Sequence, residues 1–252
     1  MIDRLLSRRN RGAMRTLARR IAGLGVMGNN VLCACCGRAF RRFLPFGRPS
    51  RPNAMCPHCG SLERHRLLWL YLQRSGKLHA RPISVLHTAP EPAIAERLRS
   101  FPNIRLVSTD LSDDDVSVRC DLETMPFRAG AFDGIICSHV LEHVSNDIAA
   151  MRELRRTLAP GGWALISVPL HETRATTDED PSITDPNERF RRFGQRDHVR
   201  RYGMDFFDRL RRAGFMVEIH RVGEVIPADL VVANALNENE MFADCSAPAA
   251  TG

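Results

Sequence analysis

Two pairs of cysteines with a short, repeated spacing are the residues best suited to bind a metal. Cys33 and Cys36 lie in one Cys-x-x-Cys-Gly segment, and Cys56 and Cys59 lie in a second one, with Cys35 as a spare thiol. Each such turn presents two sulfur atoms from a tight bend, so two turns can enclose one tetrahedral ion. We therefore predict a structural Zn²⁺ site made of the four paired cysteines. Disulfides are the alternative, and they would need an oxidising compartment.

A second group of candidates consists of carboxylates that follow predicted strands. Asp110 ends the apolar stretch 104–109 and lies about 20 residues beyond the loop that follows a predicted strand at 83–87. In a doubly wound α/β sheet, an acidic residue at this separation hydrogen-bonds the ribose hydroxyls of a nucleoside. Asp121, further along the chain, marks another acidic position expected near the same edge of the sheet.

A strand, a helix and a second strand must position the next polar residues. An apolar run of strand length ends at Ser138 and His139, and apolar residues at helical spacing predict a helix over 148–158. Pro160-Gly161-Gly162 is expected to stop this helix and turn the chain into a strand at 164–168. Because parallel strands joined by a helix share one carboxyl edge, Ser138 and His139 are expected at the ligand-binding edge.

The order of these segments, with FDGIICSHVLEHV and LAPGG in the second half, resembles the class I S-adenosylmethionine-dependent methyltransferases over about residues 82–236. The resemblance implies a doubly wound, seven-stranded Rossmann-like α/β sheet that binds S-adenosyl-L-methionine. It implies that Asp110 binds the ribose and that Asp121 faces the adenine amino group. Leu111 and Leu122 would flank the adenine. The implied cofactor-binding residues are His87, Ala89, Pro90, Glu91, Asp110, Leu111, Asp121, Leu122, Ser138 and His139.

The first loop of this region departs from the family's pattern. The family usually has GxGxG there, whereas this chain has His87-Thr88-Ala89-Pro90-Glu91, without glycine. Alanine adds a methyl group, and Pro90 removes a backbone donor and fixes its own φ. The resemblance implies that Glu91 takes the place of the acidic residue near the methionine amino group. The alternative is that the loop has lost cofactor binding.

Methyl transfer from a sulfonium depends mainly on positioning, so no protein nucleophile is expected. An oxygen or nitrogen acceptor can need a base to remove its proton, and His139 and His198 are the predicted candidates. His143 is interpreted as a structural hydrogen-bonding residue. The segment 171–202, which contains His198, is polar and too long for a simple connector. We expect it to lie over the cofactor and to shape the acceptor pocket.

Charge and composition divide the chain. Residues 1–81 carry 16 arginines and one lysine against two acidic residues, a net charge of +15, whereas the remainder carries −8. No run of 18 apolar residues exists, so no transmembrane segment is predicted. The predicted parts are a basic amphipathic arm (1–24), a zinc-ribbon-like module (25–66), a linking helix (67–81), a methyltransferase domain (82–236) with a final strand at 229–235 and a substrate-side insertion (171–202), and a disordered tail (237–252).

We predict a cytoplasmic methyltransferase acting on an oxygen or nitrogen of a small metabolite or of a glycan or lipid-linked precursor. The basic region 1–81 attracts phosphates, either of RNA or of an anionic membrane surface that would hold the protein at its periphery. A solvated arm without a partner and an organelle transit peptide are the alternatives for its first 24 residues. An RNA methyltransferase is the rival function, weakened by the scarcity of aromatic residues for base stacking. A non-enzymatic nucleic-acid or membrane adaptor is the other rival.

Overall fold

The computed structural model describes residues 8–78 and 81–249, apart from the side chains of residues 8–13 and 15. Its helices are α1 (Arg8–Leu24), α2 (Glu63–Arg74), α3 (Pro92–Arg99), α4 (Asp147–Thr157), α5 (Pro186–Phe193), α6 (Phe206–Arg212), α7 (Val222–Val225) and α8 (Ala228–Ala233). Its strands are β1 (Val31–Leu32), β2 (Ala39–Phe40), β3 (Leu44–Phe46), β4 (Arg51–Met55), β5 (Ile83–Thr88), β6 (Ile104–Asp110), β7 (Val118–Arg119), β8 (Phe132–Ser138), β9 (Leu158–Ser167), β10 (Asp178–Glu179), β11 (Arg200–Arg201), β12 (Met216–Arg221) and β13 (Met241–Ser246).

The described chain forms two compact units, and neither is continuous in sequence. The first contains the residues up to 78 together with Glu91–Arg97 and Val222–Glu240. The second contains Arg81–Pro90, Leu98–Arg221 and the chain from Met241 onwards.

The second unit is built on a seven-stranded sheet in the order β12-β13-β9-β8-β5-β6-β7. Strands β5 to β9 run parallel to their neighbours in this group, whereas β13 is antiparallel to both β12 and β9. This mostly parallel α/β sheet confirms the predicted Rossmann-like fold class. It also fixes which ends of the strands can share a ligand, since parallel strands place their carboxyl ends at one edge.

The register of the central strands aligns their carboxyl ends. Thr88 on β5 pairs with Thr109 on β6 and with Cys137 on β8. Asp110 and Ser138 are the residues that follow these partners, so both stand at the same level of the sheet edge.

Apolar faces of two helices make up much of the core of the second unit. Met151 and Leu154 of α4 and Phe207 and Leu210 of α6 are buried in one cluster with the sheet, as their helical spacing predicts. Full burial of each such side chain stabilises the fold by about 1.5–3 kcal/mol. The packing therefore holds the loop before α4, which carries His139 and His143, against a rigid support.

The first unit contains two short hairpins, β1–β2 and β3–β4, with α1, α2, α7 and α8. Its segments are tied by hydrogen bonds between residues far apart in sequence. The Ala34 amide donates to Asn234 Oδ1 at 2.8 Å, and Arg66 Nε donates to the Asn234 carbonyl at 2.7 Å. Asn234 is buried, so these bonds satisfy polar groups that would otherwise be costly to bury.

Two predictions about the end of the chain are wrong. The segment 229–235, predicted as the final strand, is mostly helix α8, which ends at Ala233. The final strand is β13, within the segment 237–252 that was predicted to be disordered. It lies between β12 and β9 and buries Phe242 and Cys245, so backbone pairing on both sides orders it. Residues 250–252 lie outside the described chain.

Two predicted boundaries also shift. The linking helix, predicted at 67–81, is α2 and begins earlier, at Glu63, because the Leu62 amide donates to His65 Nδ1 at 3.2 Å and caps the first turn. It ends at Arg74; residues 79 and 80 lie outside the described chain. Helix α4 ends at Thr157, before the predicted stop at Pro160-Gly161-Gly162, and β9 runs through that segment.

The predicted amphipathic arm corresponds to α1, and residues 1–7 lie outside the described chain. No helix within the described ranges combines the length and the apolar composition needed to cross a bilayer.

Candidate functional site

A cavity of about 510 Å³ lies at the carboxyl edge of the sheet in the second unit. The loops after β5, β6 and β8 supply most of its wall, which is what the doubly wound fold predicts. Of the predicted cofactor-binding residues, Ala89, Asp110, Leu111, Asp121, Leu122 and His139 line it. The other lining residues are Thr88, Thr109, Ser112, Cys120, Glu123, Val140, His143, Val144, Ser145 and Asp197.

Asp110 presents one carboxylate oxygen to the protein and leaves the other available. Its Oδ1 accepts hydrogen bonds from the amides of Ser112 at 2.7 Å and Asp113 at 2.9 Å. Among the described residues, Oδ2 has no hydrogen-bond partner. A carboxylate held in this way by its own turn is oriented before any ligand arrives, which reduces the entropy lost on binding.

Asp121 and the two leucines flank the same cavity. Asp121 Oδ1 accepts from the Glu123 amide at 2.9 Å, which fixes the turn after Cys120. Leu122 is buried, whereas Leu111 is 66% exposed. An exposed leucine at the mouth of a cavity can cover the apolar face of a ring that enters it.

The glycine-free first loop adopts a backbone conformation that glycine normally supplies. Ala89 has φ +44°, and its amide donates to the Thr109 carbonyl at 2.7 Å. A left-handed residue that is not glycine costs on the order of 1–3 kcal/mol and persists only where its surroundings enforce it. The chain therefore keeps the tight turn at the cavity without glycine, and the backbone at Ala89 is strained as a result.

His139 is the second strained residue of the cavity, with φ +56° directly after β8. Its amide donates to the Ser167 carbonyl at 2.9 Å, and its Nδ1 lies 3.4 Å from Glu142 Oε1. Burial alone would raise the pKa of Glu142, but the hydrogen bond and charge of His139, with that of His143, lower it below the usual range. Glu142 is therefore an anion although it is only 2% exposed.

His198 stands behind His143 and does not line the cavity. The two rings meet edge to face with their centroids 4.8 Å apart, and His198 is 5% exposed. Burial lowers the pKa of His198, and the charge of His143 lowers it further, so the imidazole is neutral near pH 7. His143, interpreted from the sequence as structural, is the histidine of this pair that reaches the cavity.

The remaining predicted residues have other surroundings. His87 is buried within β5, and Pro90 follows the strained Ala89. Glu91 belongs to the first unit, where its Oε1 lies 3.4 Å from His65 Nε2. Ser138 accepts a hydrogen bond from Ser167 Oγ at 3.2 Å. None of the four lines the cavity, and their assignment to the cofactor stays a prediction.

A buried ionic network that the sequence analysis missed holds the loop of the cavity. Arg200 Nε donates to Glu179 Oε2 at 2.9 Å, and its guanidinium also donates to the carbonyls of Leu141, Val144 and Ser145. Arg200 is only 3% exposed. The segment 171–202 is thereby fastened to the loop 139–145, which lines the cavity.

Asp147, at the start of α4, is the second centre of this network. It accepts hydrogen bonds from Tyr202 Oη at 2.8 Å and from Arg209 Nη1 at 2.9 Å. Arg209 also donates to Glu179 Oε1 at 2.6 Å. Burial would lower the pKa of the Arg209 guanidinium, but its hydrogen bonds and its attraction to Glu179 and Asp147 raise it. All members are thus paired, which a buried network requires.

In the first unit the four predicted metal ligands converge. The sulfur atoms of Cys33, Cys36, Cys56 and Cys59 all lie within 4.8 Å of one another. Cys33 Sγ is 3.6 Å from Cys59 Sγ, and Cys36 Sγ is 3.7 Å from Cys56 Sγ. Four sulfurs that each lie about 2.3 Å from one zinc ion would be about 3.8 Å apart. The cluster therefore fits a tetrahedral zinc ion without rearrangement.

The backbone conformation of the two cysteine turns explains why a glycine follows each cysteine pair. The Gly37 amide donates to the Cys33 carbonyl at 2.7 Å, and the Gly60 amide donates to the Cys56 carbonyl at 3.0 Å. Gly37 and Gly60 have φ +71° and +76°, a conformation that glycine adopts without strain. The Ser61 hydroxyl lies 3.1 Å from Cys33 Sγ and 3.2 Å from Cys59 Sγ, where it can orient both sulfurs.

A fully buried arginine supports the cluster. Arg66 donates to the carbonyls of Ala54 and Ser61, both at 3.0 Å, and its guanidinium stacks 4.1 Å from the ring of Phe43. Burial lowers the pKa of Arg66, and the nearby Cys33 and Glu63 charges oppose that effect. Because a zinc ion with four thiolates carries a net negative charge, a buried cation here compensates it.

Residues 93–166 match the family model described as a methyltransferase domain. The match contains β6, β7, β8 and α4 in full, so it includes two of the three strands whose loops form most of the cavity wall, whereas β5 precedes it. This part of the chain is similar to a methyltransferase domain. The sheet order and the position of Asp110 agree with this assignment.

Solved structures share the fold of this chain at low sequence identity. One is the [4+2]-cyclase SpnF, with 14% identity, a TM-score of 0.54, and coverage of 75% of this chain and 84% of that one. Another is a chain of the complex between the Haloferax volcanii Trm112 methyltransferase activator and a methyltransferase, with 16% identity, a TM-score of 0.50, and coverage of 74% and 93%. These likenesses show the fold alone, since one fold hosts several chemistries.

A curated relative matches a short part of the chain. It is the tRNA (carboxymethyluridine(34)-5-O)-methyltransferase alkbh8 of Xenopus tropicalis, which is 50% identical over 52 residues. The match covers 19% of this chain and 8% of the length of that protein. The chain therefore spans a small fraction of its curated relative.

Proposed function

We propose that the protein transfers a methyl group from S-adenosyl-L-methionine to an oxygen or nitrogen of an acceptor. The observation that carries this proposal is the free Oδ2 of Asp110, at the end of β6, on the wall of a cavity of about 510 Å³. A carboxylate there suits the two hydroxyls of a ribose, and the family match supports the same assignment. Leu111 and Leu122 offer apolar contacts for adenine, with Asp121 facing its amino group.

The cofactor supplies an already activated methyl group, so the protein's task is to position the acceptor and exclude water. His139 lines the cavity, and its Nδ1 lies 3.4 Å from Glu142 Oε1, a contact that orients the ring. In that pair His139 can accept a proton that an acceptor hydroxyl or amine releases. His198 is too buried to meet the acceptor in this arrangement and acts on it only through His143.

Replacing Asp110 by alanine tests the cofactor assignment. The change removes the acceptor of the ribose hydroxyls, and we expect binding of S-adenosylhomocysteine to weaken by about 1.5–3 kcal/mol, the range for hydrogen bonds to charged groups. Isothermal titration calorimetry measures this directly. Asp114→Ala is the matched control, because Asp114 is exposed and pairs only with Arg119 among the described residues. An unchanged affinity in Asp110→Ala would sink the ribose assignment.

We further propose that the four-cysteine cluster holds a structural Zn²⁺ ion. All four ligands come from the protein, so no position stays open for a substrate, and the ion would act by holding the two hairpins together. The strands of the two hairpins are only two to five residues long, and metal binding would supply folding free energy that such short strands lack. Zinc would thus fix the surface from which α1 projects.

That surface favours an acceptor attached to lipid. Helix α1 exposes Leu17, Ile21 and Leu24, each at 59% or more. A groove of about 280 Å³ beside it places Arg20 and Arg38 next to the apolar groups. Arginines beside an exposed apolar face suit the phosphates and acyl chains of an anionic membrane surface. We therefore infer that the acceptor is a small metabolite or a glycan or lipid-linked precursor, reached with the protein peripheral to the membrane.

RNA is the second candidate acceptor. The net charge of +15 in residues 1–81 and the short likeness to a tRNA methyltransferase favour it. A cell extract incubated with radiolabelled S-adenosylmethionine separates the two. We expect the label in a lipid-extractable or small-molecule product. Label in ribonuclease-sensitive material would reject the lipid-linked acceptor, and absence of any labelled product alongside normal S-adenosylhomocysteine binding would favour a non-catalytic adaptor.

A further inference from the structure

A cluster of three potential metal ligands stands beside the cofactor cavity and has not been given a role. One ligand atom each from Glu142, His143 and His198 lies within 4.8 Å of the other two. Ligands that each lie about 2.0–2.2 Å from one ion are at most about 4.4 Å apart, so small side-chain movements would bring the three to one centre. The cluster is separate from the four cysteines, which belong to the first unit.

Two buried polar atoms of this cluster have no hydrogen-bond partner within the part of the chain that the structure describes. Glu142 Oε2 and His198 Nε2 are both unpartnered, although Glu142 is only 2% and His198 only 5% exposed. Leaving such buried atoms without a hydrogen bond is unfavourable, and more so for a charged group. A cation placed between them would satisfy both.

The other atoms of these side chains are held in the way that metal ligands usually are. Glu142 Oε1 lies 3.4 Å from His139 Nδ1, which leaves Oε2 for an ion. His143 Nδ1 lies 3.4 Å from Asp197 Oδ2, and His198 makes a backbone hydrogen bond with Phe193. A partner on one nitrogen of a histidine orients the other nitrogen towards a metal and fixes its tautomer.

We propose that Glu142, His143 and His198 form a second metal site, for a divalent transition-metal ion. One carboxylate and two imidazoles suit Mn²⁺, Fe²⁺, Co²⁺ or Zn²⁺, and three protein ligands leave coordination positions open. His143 lines the cavity, so the open positions face it. This last point rests on the proposed function: an ion there would bind an acceptor oxygen and make its proton easier to remove, which points to a hydroxyl-bearing acceptor.

Metal titration of the zinc-loaded full-length protein tests the site without any activity assay. Mn²⁺ is followed by the loss of the electron paramagnetic resonance signal of the free ion, and Co²⁺ by its visible absorption. Both ions prefer nitrogen and oxygen ligands here, because zinc occupies the thiolates. We expect one equivalent of at least one of these ions to bind saturably. Glu142→Gln and His198→Gln should each lose more than about tenfold in affinity, at least the loss seen when a supporting residue is removed.

Two further variants make the outcome decisive. His171→Gln, in the same segment but outside the cluster, should bind metal as the wild type does. His143→Gln changes the most exposed of the three ligands. It serves as the test variant if Glu142→Gln or His198→Gln does not fold. Failure of both ions to bind the wild type, or wild-type affinity in the ligand variants, would overturn the site. Calorimetry with S-adenosylhomocysteine in metal-free buffer reports the cofactor site separately, so a failure of the metal proposal is distinguishable from a failure of methyl transfer.

Discussion

Removing the metal from the cysteine cluster is expected to unfold the first unit. Structural zinc contributes about 10–16 kcal/mol of apparent folding free energy in small metal-binding modules, which exceeds the stability of most domains. We therefore expect Cys56→Ser to bind no zinc and to lose the structure of this unit. The chain has two tryptophans, Trp69 in the first unit and Trp163 in the second. In a Trp163→Phe background, the fluorescence of buried Trp69 should shift to that of an exposed indole.

Cys35 provides the matched control for this experiment. It lies in the same turn and is 2% exposed, but it is not one of the four converging sulfurs. Cys35→Ser should retain one zinc per chain and the wild-type fluorescence. Loss of zinc in Cys35→Ser, or a folded and metal-free wild type, would contradict the assignment of the four ligands.

The second large effect is expected from Arg200. Replacing it by methionine removes one of the two arginines that hold Glu179 and takes a donor from three carbonyl oxygens of the 141–145 loop. Leaving a buried acceptor without a hydrogen bond costs about 1–3 kcal/mol, and Arg200 serves several such carbonyls at once. We expect the second unit of Arg200→Met to unfold at a lower urea concentration than that of the wild type. The fluorescence of Trp163, measured in a Trp69→Phe background, reports this unfolding.

Arg196→Met controls for the loss of one positive charge in the same segment. Arg196 is exposed and has no ion-pair partner among the described residues. The free energy of unfolding of Arg196→Met should stay within about 0.5 kcal/mol of the wild-type value, the usual range for surface substitutions. Arg200→Lys keeps the charge but not the planar fork of donors, so it should recover only part of the lost stability. Equal midpoints for Arg200→Met and Arg196→Met would show that the buried network contributes nothing.

The sequence was sufficient to predict those parts of the fold that are determined by the pattern of neighbouring residues. The strand ending at Asp110 and the helix containing Met151 and Leu154 each have a clear apolar period, and the structure confirms both. The cysteine turns were equally accessible, because their spacing alone specifies two knuckles around one centre. In each case a few consecutive residues carry the whole signal.

Long-range pairing explains the errors at the end of the chain. Strand β13 is a short run of apolar, small and polar residues without a clear alternation, and its partners β12 and β9 make it a buried strand. In α8, Val231 and Val232 favour a strand by propensity, yet the segment is helical. Tertiary contacts override such propensities, since they differ by only about 1 kcal/mol per residue or less.

The buried ionic network and the proposed second metal site could not be predicted from the sequence, for a different reason. Arginine, glutamate and histidine in the segment 171–202 and the loop 139–145 look like solvated surface groups when read along the chain. Only the fold places Arg200 against three carbonyls and His198 behind His143. Charged residues seldom become fully buried, so sequence reasoning gives low weight to the arrangement that the structure contains.

The two hydrogen bonds to Asn234 have a consequence for biosynthesis. A ribosome releases Ala34 and Arg66 long before it reaches Asn234, which is 200 residues beyond the first and 168 beyond the second. A nascent chain can thus bring its four thiols around an ion early, but the buried guanidinium of Arg66 gains its bond to Asn234 only after another 168 residues have been synthesised. Expression of the amino-terminal portion by itself would yield a permanently unfinished intermediate.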